Sequence, residues 1–85
     1  MKTTAFLDRL LANGFKTGRY DNAESRQIEW TKTDGTVISV TAEFEGADKP
    51  SWAIRAFTKN GILIWSATFT SETPTAVIEA TIAAA

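Results

Sequence analysis

The side chains that most often carry catalysis or hold metal ions are missing from this sequence, since its 85 residues include no histidine and no cysteine. That removes imidazole bases, thiolate nucleophiles, disulfides and every Cys/His zinc pattern. Carboxylates, hydroxyls, lysines and arginines remain. Glu43, Glu45 and Asp48 gather around Gly46, and alternation along an extended strand puts Glu43 and Glu45 on one side. Paired carboxylates can exchange protons or hold a hard cation. Here the calcium-loop spacing is absent, and glutamates on an outward face are ordinarily just solvated. Asp8, Glu24, Glu72 and Glu79 have no evident partner for a glycosidase-like pair. The serines have neither a histidine nor a Ser-x-x-Lys spacing to activate them. Gly14-Phe15-Lys16-Thr17-Gly18 superficially resembles a phosphate loop, but it follows a helix instead of opening one, and its Lys-Thr pair lies between the glycines. The expectation is a chain with no catalytic residues, no metal ligands and no cofactor, and so not an enzyme.

Binding chemistry is better represented. Lys16, Arg19, Tyr20 and Arg26, with Arg9 nearby on the first helix, make a small basic-aromatic group of the kind that contacts phosphates and stacks on bases. The formal net charge is −1, from 9 basic and 10 acidic residues, so no bulk field draws the chain to nucleic acid or to an anionic membrane. Nucleic-acid contact is therefore the secondary expectation. Trp30, Trp52 and Trp65 could form a stacking platform, but their spacing sends all three to one sheet face, where they belong to the core.

The elements that position these residues follow from periodicity and turn chemistry. Residues 4–13 read as a helix, with Phe6, Leu7, Leu10 and Leu11 on one stripe, Thr3 or Thr4 as cap, and Gly14 ending it so that Phe15 folds back onto Leu10. Residues 16–25 read as a polar turn. Four strands follow at about 26–32, 36–44, 51–58 and 62–70. A three-residue loop Thr33-Asp34-Gly35 sets Ile28 opposite Val40 and Trp30 opposite Ile38. A two-residue turn at Asn60-Gly61 sets Trp52 opposite Phe69, Ile54 opposite Ala67, Ala56 opposite Trp65 and Phe57 opposite Ile64. Thr73 caps a last helix whose first residue is Pro74 and whose inward stripe is Val77, Ile78, Thr81 and Ile82. The inward sheet face also takes Ala42, Phe44 and Leu63. One domain over residues 1–85 results: an α+β two-layer sandwich of order α-β-β-β-β-α, a four-stranded antiparallel meander with both helices on one face.

The opposite face is left bare, and most of it is polar or β-branched, as a solvated sheet face should be. Val37, Phe57 and Ile64 interrupt it with an apolar cluster that suits contact with a protein partner or a second copy. The outermost strands add open edges as a second route to self-association. Nothing visible in the sequence makes the bare face concave, so no small-molecule ligand is expected there. The opening segment Met1–Arg9 carries charge too early for a secretory signal, and no run approaches the ~20 apolar residues of a membrane span, so the expected compartment is the cytoplasm.

Over its last third the chain carries Trp65-Ser66-Ala67-Thr68-Phe69, a short polar step, Thr73-Pro74 and then Val77-Ile78-Glu79-Ala80. This resembles an uncharacterised domain family of Streptomyces and other actinobacteria, whose domains end in a similar strand, Thr-Pro cap and helix. The family has no assigned activity, so no site residue carries over. The resemblance implies an actinobacterial or bacteriophage source and an accessory role in a mobile element.

Overall fold

The computed structural model describes residues 1–85, folded as an α+β arrangement of one antiparallel sheet and two helices. In chain order the elements are α1 (Ala5–Ala12), β1 (Lys16–Thr17), β2 (Ser25–Thr31), β3 (Val37–Glu43), β4 (Ser51–Phe57), β5 (Leu63–Phe69) and α2 (Thr75–Ala84). The sheet has five strands in sequential order, one more than the sequence predicts.

The extra strand grows out of the end of α1. Thr4 caps the helix by accepting the Leu7 N–H at 3.1 Å. At the other end Gly14 takes φ 105°, and the Phe15 N–H reaches back to the Leu10 carbonyl at 3.1 Å, a Schellman closure that buries Phe15. The reversal delivers Lys16 and Thr17 alongside β2, opposite Glu29 and Ile28. A two-residue strand has no periodicity of its own, which is why this stretch reads as a turn.

The first hairpin has the predicted three-residue loop. Lys32 and Thr36 close it at 2.8 Å, Gly35 sits at φ 90°, and Ile28 faces Val40 while Trp30 faces Ile38. The second hairpin differs from expectation. Thr58 donates to the Ile62 carbonyl at 2.8 Å around Lys59-Asn60-Gly61, again a three-residue loop with the glycine left-handed, at φ 82°. The Thr58 hydroxyl favours this turn by accepting the Ile62 and Asn60 N–H groups at 3.1 and 3.3 Å. Phe57 is thereby set against Leu63 instead of Ile64, and a β-bulge then absorbs Ile64. Beyond the bulge Ala56 faces Trp65, Ile54 faces Ala67 and Trp52 faces Phe69, as the sequence predicts. The longer loop and the bulge cancel, so the core register survives an incorrect turn.

One buried cluster joins Phe6 and Leu7 of α1 and Ile78 of α2 to Ile28, Ile38, Val40, Ala42, Phe44, Trp52, Ile54 and Ala56. Each large side chain in it contributes about 1.5–3 kcal/mol by leaving water. Phe6 meets Trp52 edge-on at 5.4 Å between ring centroids. Arg9 and Glu79 form an ion pair between the two helices. Three expected core residues stand further out. Trp30 is 38% exposed and leans on Phe15, Trp65 is half-buried at the edge of the sheet, and Leu63 is 51% exposed because the bulge moves it off the inward row. The last helix starts at Thr75, one residue later than predicted. Pro74, at ψ 139°, is the residue before it, and the Thr73 hydroxyl lies against that of Thr70 instead of capping. Val77 faces solvent, leaving Ile78 as the buried residue of α2.

Candidate functional site

The sheet face opposite the buried cluster is neither flat nor fully wet. Strand pairing lays its residues out in rows, among them Lys16–Glu29–Ser39–Arg55–Ser66 and Gln27–Thr41–Ala53–Thr68. Gln27 and Ser39 are buried, 8% and 6% exposed, although they occupy this outer face. The segment 18–24 accounts for the burial of Gln27. The Gln27 side-chain oxygen accepts the Tyr20 N–H at 3.2 Å, and its amide nitrogen donates to Ser39 Oγ at 3.0 Å and to Glu29 Oε2 at 3.2 Å. Gly18 leaves room for this approach, since a Cβ there would push the Gln27 amide aside.

An ion pair anchors the segment. Arg26 Nε donates to Asp21 Oδ1 at 2.7 Å, with both side chains nearly buried, and the same carboxylate oxygen accepts the Gln27 N–H at 2.9 Å. Arg26 also donates to the Lys2 carbonyl at 2.6 Å. Asn22 completes the turn by accepting from the Glu24 and Ser25 N–H groups. These bonds hold Arg19 and Tyr20 as a wall over the open sheet.

The result is a groove of about 490 Å³, whose floor and sides include Arg19, Tyr20, Gln27, Ser39, Arg55 and Phe57. Two carboxylates, Glu29 and Glu43, also line it. Each has one oxygen engaged, Glu29 by Gln27 at 3.2 Å and Glu43 by the Ser25 hydroxyl at 2.6 Å. Arg55 is half-buried, and its guanidinium makes neither a hydrogen bond nor an ion pair within the chain. A guanidinium in this position can take a carboxylate through two parallel N–H bonds. Nothing in the sequence shows this concavity, which arises from the path of residues 18–24 over the sheet.

The predicted residues divide between different places. Val37 and Phe57 are partners on neighbouring strands, and Phe57 lines the groove. Ile64 does not complete their row. It is the bulged residue, 54% exposed, and Leu63 takes its place opposite Phe57. Of the basic-aromatic group, Arg19 and Tyr20 reach the groove, and Lys16 is exposed at the β1 end of the same row as Arg55. Arg26 does not join them, because its guanidinium is buried against Asp21. Alternation along the strands puts Gln27, Ser39, Thr41 and Arg55 on the outer face, and nothing in their spacing gives them a role. The signal for Arg55 is a long cation at an outward strand position between Ala53 and Phe57; nothing local announces the wall beside it.

The acidic group around Gly46 is dispersed. Glu43 faces the groove, while Glu45 adopts the left-handed conformation at φ 49° in the turn that follows. The carboxylate that does engage this turn is Glu24, which accepts the Gly46 N–H at 2.9 Å and pairs with Lys2. The Gly46 N–H, and to a lesser degree Lys2, hold the Glu24 carboxyl below its ordinary value of 4.5. No helix is long and apolar enough to cross a membrane. No family model, curated protein or solved structure matches this chain.

Proposed function

We propose that this chain is a non-enzymatic protein-binding module, in which both helices roof one face of the sheet and the other face receives an extended segment of a partner. The observation that carries this reading is Arg55, a half-buried guanidinium without an internal partner on the floor of a groove bounded by Tyr20 and Phe57. An acidic side chain of the partner would meet Arg55, and an apolar neighbour would rest on Phe57, with Val37 widening the apolar end. Charge-assisted hydrogen bonds of this kind contribute about 1.5–3 kcal/mol, roughly ten- to a hundredfold in affinity. The nucleic-acid reading draws less support. It loses Arg26 to the ion pair with Asp21, and a phosphate chain in the groove would run past Glu29 and Glu43.

The test is a titration of isotope-labelled protein with acetylated, amidated hexapeptides that carry a single Asp beside a Phe among neutral residues, followed by amide NMR shifts. Saturable shifts at Ser39, Thr41, Arg55 and Phe57, weakened at least tenfold in Arg55→Ala, are expected. No shift at millimolar peptide would refute the reading. Salt-sensitive shifts at Lys16, Arg19 and Tyr20 on adding oligothymidylate instead would replace it with nucleic-acid binding.

A further inference from the structure

The sheet has two edges, and they are unequal. β1 is only two residues long, and the hydrogen-bonded segment after it folds against Gln27. β5 spans Leu63–Phe69, pairs with β4 on one side and has no neighbour on the other. Exposed edge strands ordinarily carry a lysine, a proline or another charge that blocks pairing with a further strand. Here the sequence from Asn60 to Ser71 contains no charged residue and no proline. The exposed apolar surface concentrates at the same place. Of the seven large apolar side chains that the fold leaves exposed, Ile62, Leu63, Ile64 and Val77 lie along β5 and the adjoining helix. A groove of about 550 Å³ between β5 and α2, lined by Trp65, Ala67, Val77, Ala80 and Ala84, continues the surface onto the helix. The only charge in α2, Glu79, is paired with Arg9.

We infer that β5 pairs antiparallel with β5 of a second copy of this chain, joining two five-stranded sheets into one. A surface without a free charge offers nothing to select an acidic or a basic partner, and nothing to repel its own copy. An isologous contact requires a self-complementary surface, and this strand supplies one. With the two-fold axis at Ser66, Trp65 of each chain stands opposite Ala67 of the other, so a large side chain meets a small one on the inward face. The exposed side chains at the β5–α2 groove of each chain are then covered by their counterparts. This inference is independent of the peptide groove, which Ser66 does not line.

Sedimentation equilibrium of the intact chain tests it. The expected mass is about twice 9.3 kDa. Ser66→Lys places two like charges face to face on the axis and is expected to give the single-chain mass with an unchanged circular dichroism spectrum. Ser66→Cys introduces the only thiol in the chain and is expected to yield a disulfide-linked dimer under mild oxidation. A single-chain mass for the unmodified protein at millimolar concentration would overturn the inference. So would a dimer that persists in folded Ser66→Lys, or one in which Ser66→Cys does not cross-link.

Discussion

Removing the Asp21 carboxylate should be among the most damaging single changes in this chain, although Asp21 lies outside every strand and helix. Asp21 Oδ1 accepts from Arg26 Nε at 2.7 Å and from the Gln27 N–H at 2.9 Å, and the two side chains of the ion pair are 6% and 10% exposed. Asp21→Ala leaves a guanidinium nearly buried without its counter-charge and deprives a backbone N–H of its acceptor. Breaking one side of a buried pair costs about 3–5 kcal/mol. A domain of this size holds roughly 5–15 kcal/mol in total, and each kcal/mol moves the midpoint by about 4–8 °C. A fall of at least ~12 °C in Tm is therefore expected by thermal circular dichroism. The companion variant Arg26→Met removes the orphaned charge, so Asp21→Ala combined with Arg26→Met should be more stable than Asp21→Ala alone. If Asp21→Ala costs less than ~1 kcal/mol, or the second change lowers stability further by its full individual amount, the anchoring role of this pair is wrong.

Core and edge should respond differently to truncation. Ile54 is fully buried, and Ile54→Ala should cost about 2–5 kcal/mol in urea denaturation. Trp65 is half-buried on β5, so Trp65→Ala should cost less than a full aromatic truncation; equal losses at the two positions would contradict the burial pattern. Acid should weaken the fold through Glu24 and Asp34, whose carboxyls are held below their ordinary values of 4.5 and 3.8, Glu24 chiefly by the Gly46 N–H and Asp34 by the Thr36 N–H and hydroxyl. Because the folded values are the lower ones, the unfolded chain binds protons first as pH falls. The stabilisation is complete above about 4.5 and is lost on descending through the folded values. Urea midpoints measured across this range should show a shallower acid decline in Glu24→Gln combined with Asp34→Asn, and an unchanged profile would discount both carboxyls.

Residue types and their spacing determined most of the buried architecture. Strict alternation in β2, β3 and β4 allows one register that buries Ile28, Val40, Ile54 and Ala56 together, and a slip of one residue would turn all of them outward. The β4–β5 core pairs match expectation for a different reason: the extra residue in the loop at Asn60-Gly61 and the bulge at Ile64 offset each other. The helix ends were legible for the same local reason at α1, where Thr4 and Gly14 act within their own turns. The groove was not legible, because it depends on contacts between residues whose pairing no periodicity encodes. Asp21 finds Arg26, Tyr20 finds the Gln27 side chain, and Lys16 finds Glu29 only once the chain has reversed at Gly14. Those contacts turned Arg26 from a surface cation into a buried anchor and left the Arg55 guanidinium unpaired in the groove. Alternation fixes which face a side chain occupies, whereas only the folded path of residues 18–24 decides which part of that face stays open.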